Sequence, residues 1–454
     1  MGITIVHKSD LKRKHTHAPK ALILAGGALT GGSFKAGGLK ALNDYLVDFT
    51  VNDFDIFVGI SSGSMIAASL IGGIRPETML KSLDGTSGHF SQLTGWHCYR
   101  PNIAEMVVRP LKFIMQAASW LPDGLVKIAR HAEWKRGLLG CVWNFITNPS
   151  LTTYDDLFDP IKDQLKEEDL PSLVALLPSG LFDNGPIEAY IRENIQRNKL
   201  TNDFCETFKL TKKRLYISAV RLDSAQRVVF GPDEDSSVSI SQAIQASTAL
   251  PGFYRPAHIN GIDYVDGGVQ ETANIDTAIE KGAELVVCYN PFRPYEPGEF
   301  VEGFKRRRRR RLAADGVMAV LNQIFRAFFH TRLQVALNRF KRDANFSGDI
   351  ILIEPRADDA AFFALNPMSL KNRIEAARLG FESVCSSIDE RFDELKSIMA
   401  RYGIGMSRRR VEEEYQQLLQ PDLTNREVQR LLEGRRAKKA RKKVRAAPKK
   451  RRAR

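Results

Sequence analysis

No C-x-x-C and no H-E-x-x-H occurs in these 454 residues, so the sequence gives a structural or catalytic metal no support. Cysteine is scarce. The five residues, Cys98, Cys141, Cys205, Cys288 and Cys385, are scattered, odd in number and unpaired by any motif, which predicts a reducing compartment. The first twenty residues are polar and basic without an apolar centre, and so lack the pattern of a secretory signal. Val6 stands where myristoylation at Gly2 needs Ser or Thr. No internal repeat is evident. The uncharged run from Ile56 to Ile74 is too rich in glycine and serine, and too strand-like at its start, to read as a membrane span; it reads as buried.

Acid is missing where base is concentrated. Lys305 to Arg311 supplies seven positive charges, and Arg435 to Arg454 supplies thirteen with no acid. These two runs turn a body of net charge −6 into a chain of +14, so the basicity is two local devices on a mildly acidic body. Such runs attract phosphate of any origin, an anionic membrane surface first and nucleic acid second. Neither run carries the aromatics that base stacking wants. The last twenty residues have the composition of a disordered tail.

What is present is organised around Val58 to Ala68. An apolar strand-like run, Asp55 to Val58, enters Gly59-Ile60-Ser61-Ser62-Gly63, and a helix-forming run of small and apolar residues leaves it. Strand, sharp turn and helix are the setting a nucleophile elbow needs, because the turn holds its serine strained and exposed. Gly59 and Gly63 let strand and helix pass closely. The helix that starts under Ser61 points its free N–H groups at any developing oxyanion. Upstream, the strand Ala21 to Ala25 runs into Gly26-Gly27-Ala28-Leu29-Thr30-Gly31-Gly32, with a helix expected from about Ser33 to Leu46. Such a loop serves equally as a phosphate cradle or an oxyanion hole, since both need backbone N–H groups aimed at negative charge. It is neither a Walker loop nor a clean G-x-G-x-x-G, and no cofactor is expected.

Further along, Met106 to Ile146 is rich in Trp, Phe, Leu and Met and reads as helices packed on the main body. The sharper alternative is a cap that touches lipid through Trp120, Trp134 and Trp143. Asp183 to Pro186 opens a helix, Arg214–Ser218 and Arg227–Phe230 form a hairpin, and Ser239 to Ala249 is helical. The strand Ile262 to Val265 then delivers Asp266 to a turn at Gly267 and Gly268. Strands follow at Glu284–Tyr289 and Asp349–Ile353, with a helical stretch from Ala313 to Arg342 between them. The chain is helical again from Leu370 to about Tyr402, and the tail holds short helices at Val411–Leu419 and Asn425–Leu432.

In order and spacing, the Gly26–Gly32 loop, the Gly59–Gly63 elbow and Asp266-Gly267-Gly268 resemble the patatin-like phospholipases. Weaker matches are Ala249-Leu250-Pro251-Gly252-Phe253, Ile353-Glu354-Pro355 and Asn366-Pro367-Met368. The resemblance implies an α/β, three-layer domain with a central, largely parallel sheet over residues 20–403. Residues 76–176 would be a helical, cap-like insertion in that domain, and a polar segment 1–19 and a basic, largely disordered tail 404–454 would flank the domain. It implies a serine lipid acyl hydrolase acting on phospholipid or lysophospholipid, cytoplasmic and peripheral at a membrane. Ser61 would be the nucleophile and Asp266 the proton acceptor of a dyad, with Gly26, Gly27, Ala28, Gly31 and Gly32 forming the oxyanion hole. The alternatives are a non-catalytic binder of anionic membrane or nucleic acid, and an acyltransferase. His258, eight residues before Asp266, reads as structural because no orienting acid is evident beside it. One departure stands out. Family members often carry Arg or Lys within the glycine loop, whereas here the nearest base is Lys35.

Overall fold

Nine strands form one mixed sheet: β1 (Ile3–His7), β2 (Lys20–Leu24), β3 (Ile56–Gly59), β4 (Arg214–Arg221), β5 (Gln226–Phe230), β6 (Ala257–Ile259), β7 (Ile262–Asp266), β8 (Leu285–Tyr289) and β9 (Asp349–Ile353). The computed structural model describes residues 2–10, 12–82, 90–119, parts of 140–156, 176–296, 312–357, 359–420 and 423–434. Spatial order is β1-β9-β8-β2-β3-β4-β7-β6, with β5 on the other edge of β4. The pairs from β9 across to β4 are parallel, and the flanking pairs are antiparallel. Parallel strands are covered on both faces, which is why β2, β3, β8 and β9 are buried throughout and read as continuous apolar runs.

Alternate side chains of these strands feed two cores. Leu22, Leu24, Phe57 and Val287 meet α1 (Ala28–Tyr45), α2 (Ser62–Ile71), α3 (Ile240–Thr248) and α5 (Arg373–Glu390) on one face. Ala21, Ile23, Val58 and Cys288 meet Leu333, Leu337 and Phe340 of α4 (Val317–Arg342) on the other. The result is the expected three-layer α/β architecture. In the first layer α1 and α5 interlock backbone to backbone. A Cβ on Gly37 would stand 1.8 Å from the Ala377 carbonyl oxygen, and one on Gly380 would stand 2.0 Å from that of Phe34.

Several boundaries differ from expectation. The polar N-terminal segment is not outside the body, because Ile3–His7 pairs with β9 at the sheet edge. It buries Ile3 in the core on one face of the sheet and Val6 in the core on the other, while Thr4 and His7 stay exposed. The first long helix starts at Ala28 rather than Ser33, so the second half of the glycine loop is its first turn. The stretch 370–402 is two helices, Arg373–Glu390 and Phe392–Arg401. The tail is folded as far as Gly434. Arg409–Leu418 and Asn425–Leu432 bury Val411, Leu418, Val428, Leu431 and Leu432 against the body. The described part of the 106–146 stretch is not packed core, since Met106, Val107, Val108, Leu111, Met115 and Trp143 are exposed. Trp120, Trp134, the Lys305–Arg311 run and the chain from Arg435 lie outside the described residues.

A second close backbone passage is that of α2 beneath β2. A Cβ at Gly63 would lie 2.0 Å from the Leu24 carbonyl oxygen, and one at Gly59 would lie 2.4 Å from the Ser64 Cα. Both clashes are with backbone, which cannot swing aside. Gly63→Ala is therefore expected to cost about 3 kcal/mol or to prevent folding. Urea denaturation checks this; a midpoint unchanged from wild type would remove the close-passage argument.

Candidate active site

Strand order alone brings three sequence-distant motifs together. β2 and β3 are parallel neighbours, so the glycine loop and the serine turn leave the same end of the sheet side by side. β4 pairs with β3 through Arg214–Ile217 and with β7, antiparallel, through Ala219–Arg221. Its opposite edge is taken by β5 over Ile217–Arg221. β3 and β7 therefore share one edge of β4 and meet end to end at Ser218, each arriving by its C-terminus. Ser61 follows the end of β3 and Asp266 is the end of β7. The antiparallel strand is what turns a carboxylate back toward the elbow.

Ser61 has φ 52° and ψ −129°, a conformation L residues rarely adopt. It is held there by neighbours. The Ile60 N–H donates to the Leu24 carbonyl at 3.0 Å, the Ser61 N–H to Ser247 Oγ on α3 at 2.8 Å, and Ser64 Oγ to the Ser61 carbonyl at 2.5 Å. Strain of this kind, on the order of 1–3 kcal/mol, persists only where surroundings over-determine it. Ser62 begins α2, and its N–H donates to no described residue, whereas Gly63 and Ser64 donate to Ile60 and Ser61.

Asp266 is buried. Its backbone N–H donates to the Ala249 carbonyl at 3.0 Å, and Oδ1 accepts from the Gly268 N–H at 2.8 Å. Burial pushes its carboxyl up to about 6, while the Ser61 hydroxyl, the Gly268 N–H and the Lys35 ammonium pull the other way. Gly267 crosses so closely that a Cβ there would lie 2.4 Å from the Ser218 carbonyl oxygen. A carboxylate poised near neutral pH beside a serine hydroxyl has the properties of a general base.

The glycine loop closes over the serine. A Cβ on Gly26 would lie 3.4 Å from Ser61 Cβ and 2.8 Å from the Phe292 ring. The N–H groups of Gly26, Gly27 and Ala28 donate to no described residue, so three donors remain available here. Gly31 differs from expectation: its N–H donates to the Gly27 carbonyl at 2.9 Å as part of the helix start. Gly32 lies in α1 itself, a Cβ there standing 3.4 Å from Ser62 Cβ. Ala28 has φ 52°, where glycine would sit without strain. The Asn366-Pro367-Met368 motif also finds its work, because the Pro367 carbonyl accepts from Leu29 N–H at 3.1 Å and Thr30 N–H at 3.0 Å. That satisfies two orphan donors of α1.

His258 takes no part in this cluster. It does have an acid beside it, Asp263 Oδ1 at 2.8 Å across the β6–β7 pair, contrary to the sequence reading. The pair is well exposed, and Asp263 and Asp266, three apart on one strand, face opposite sides. Ser62 carries the first of the helix-start N–H groups that the sequence reading aimed at a developing oxyanion. What escaped that reading is the burial of Lys35 in α1, where its Nζ donates to the carbonyls of Ala25 and Gly26 and to Ser62 Oγ. Its signal was a lone cation among Phe34, Ala36, Gly37 and Gly38, a setting with no solvated face.

The patatin-like phospholipase family profile matches residues 143–279, a span that includes Asp266 and begins after Ser61. The probable lipid hydrolase 463L of Invertebrate iridescent virus 6 is 26% identical over 133 residues, 29% of this chain and 44% of that protein. The uncharacterized protein YjjU of Escherichia coli K12 is 34% identical over 76 residues, 16% of this chain and 20% of that one. The chain thus spans less than half the length of these curated relatives. Among solved structures, VipD from Legionella pneumophila aligns over 82% of this chain and 67% of its own, at 15% identity and a TM-score of 0.33.

Proposed function

From a chain whose residues 143–279 match the patatin-like phospholipase family profile, we propose a serine lipid acyl hydrolase working on phospholipid or lysophospholipid with a Ser61–Asp266 dyad. The observation that carries this reading is the end-to-end meeting of β3 and β7, which sets a strained serine against a buried carboxylate under unpaired N–H groups. Ser61 Oγ attacks the acyl carbonyl carbon while its proton passes to Asp266. The carbonyl oxygen becomes an oxyanion held by the N–H groups of Gly26, Gly27, Ala28 and Ser62. Collapse breaks the ester bond, and the leaving alkoxide takes the proton from Asp266. Water then attacks the acyl-enzyme, giving its proton to Asp266, and the fatty acid departs as Ser61 recovers that proton. Mass spectrometry of mixed phospholipid vesicles incubated with the enzyme tests this. One free fatty acid is expected for each ester bond lost, matched by lysophospholipid or, where that is cleaved in turn, by glycerophosphodiester; acyl chains appearing on a second lipid instead would mean acyl transfer.

Action at a membrane surface has its own support. Val317, Leu321, Ile324, Phe325, Phe328 and Val335 of α4 are exposed and recur at helical spacing along one stripe. No acid occurs from Val317 to Arg342, while Arg332 and Arg339 share the stripe. The flank of this stripe reaches the site: the Phe329 ring stacks on that of Phe325 at 6.3 Å and lies 4.7 Å from that of Phe292, which in turn crowds Gly26. A bilayer received on this face would lie next to the serine, and the basic runs would add on the order of 1 kcal/mol per nearby charge. Among the described residues no helix is long and apolar enough to cross a membrane. A Leu321→Ser/Phe325→Ser/Phe328→Ser variant is expected to bind anionic vesicles at least about tenfold more weakly, while hydrolysing a soluble short-chain ester normally. Vesicle co-sedimentation reads this, and equal binding would take the face out of the membrane reading.

A further inference from the structure

Lys35 has no part in the reaction as described, yet few groups in the protein are so completely enclosed. It lies seven residues into α1 with no solvent exposure. Its three N–H bonds have three acceptors: the Ala25 carbonyl, the Gly26 carbonyl at 3.2 Å and Ser62 Oγ at 3.2 Å. An ammonium fills that set completely, whereas a neutral amine has one donor too few. Burying a cation without a paired carboxylate is costly, so its retention here calls for a role.

The acceptors give it. A trans peptide is planar, with its carbonyl and N–H pointing in opposite directions. The Ala25 carbonyl shares a peptide with the Gly26 N–H, and the Gly26 carbonyl shares one with the Gly27 N–H. Drawing both carbonyls inward onto one ammonium turns both N–H groups outward, toward Ser61. The third bond, to Ser62, ties this loop to the elbow that supplies the remaining donor. We propose that Lys35 is the positioning residue of the oxyanion hole, a buried cation that aims the Gly26 and Gly27 N–H groups and fixes their distance from the elbow. It does from beneath the loop what a cation within the loop cannot do in this sequence, where Leu29, Thr30 and Gly31 stand. The proposal rests on Ser61 being the nucleophile.

Electrostatics makes it testable beyond structure. The titratable groups facing Lys35 are Asp266 at the end of β7 and the Cys288 thiol on β8, which burial keeps protonated. Burial lowers the Lys35 ammonium to about 7, the two neighbours opposing the shift, and Lys35 in turn helps keep Asp266 ionised. The two titrations are coupled, so the limbs of a pH profile belong to the pair. Activity needs Asp266 without its proton and Lys35 with it, which gives a bell.

In Lys35→Met, kcat on a soluble ester is expected to fall on the order of a hundredfold, the scale of a lost oxyanion donor, with KM little changed. Its acid limb should move to higher pH, because Asp266 loses a stabilising cation, and its alkaline limb should vanish. A side chain that merely packs would move neither limb. Should Lys35→Met fail to fold, Ser62→Ala removes one acceptor and leaves the lysine; a several-fold loss of kcat with normal thermal stability is the expected result. An unchanged kcat and pH profile in a folded Lys35→Met, or an unchanged kcat in Ser62→Ala, overturns the proposal. Ser61→Ala run alongside separates the two readings, since activity surviving there would refute the nucleophile rather than the positioning of its oxyanion hole.

Discussion

Ser61→Ala is expected to abolish both ester hydrolysis and covalent labelling by a fluorophosphonate probe, with thermal stability unchanged or slightly raised. The reason for the second half is as specific as that for the first. Ser61 occupies a positive-φ conformation that its neighbours impose through Ser247, Leu24 and Ser64, and none of those bonds uses the Ser61 hydroxyl. Removing the hydroxyl therefore deletes the nucleophile, about six orders of magnitude in turnover for an unassisted serine site, without loosening the turn. Ser62→Ala and Ser64→Ala should both remain labelled. Labelling that persists in Ser61→Ala and disappears in Ser62→Ala would move the nucleophile by one residue and undo the elbow assignment.

Asp266→Asn should be nearly as damaging. The amide can still accept from the Gly268 N–H, so the turn keeps its shape, but it cannot take the proton of Ser61. A loss of about four orders of magnitude in kcat with little change in KM is expected. The pH profile supplies the sign. In the wild type kcat/KM should rise with pH as Asp266, pushed up to about 6 by burial, loses its proton. The residual activity of Asp266→Asn should lack that acid limb. If His258→Ala proves more damaging than Asp266→Asn, the dyad gives way to a triad and the exposed His258–Asp263 pair must be reconsidered.

Much of the sheet was legible in the sequence because its centre is parallel. Strands such as Leu285–Tyr289 and Asp349–Ile353 are buried on both faces, so they appear as unbroken apolar runs with clear ends. The elbow was legible for a related reason: close backbone passage admits only glycine, and Gly59 and Gly63 mark it on both sides. Ile3–His7 was missed because an edge strand half open to water reads as polar, and its partner lies near residue 350. Lys35 was undervalued because a lysine is ordinarily the sign of a solvated face. Its burial comes from the end of β2, the elbow and the side chains of β7 and β8 closing round the ammonium, groups from distant parts of the chain that local pattern does not bring together. The start of α1 was misjudged by five residues because glycines weaken helix propensity, and the Pro367 carbonyl that holds its first turn comes from more than three hundred residues away.

The same long-range closures govern how the protein can be made. β1 waits for β9, and α1 cannot seat until Ala377 and Gly380 have emerged, because their backbones interlock. At roughly 5–20 residues per second, a ribosome leaves the apolar β2 strand and α1 without their final neighbours for on the order of tens of seconds. During that interval the nascent chain displays unpaired strand edges and apolar surface, the features that make unfinished chains prone to aggregate. The glycine-to-carbonyl contacts that lock α1 onto α5 thus also postpone the seating of α1, whose first turn is part of the glycine loop, to late in synthesis. No partial product of this chain would be expected to carry an assembled site.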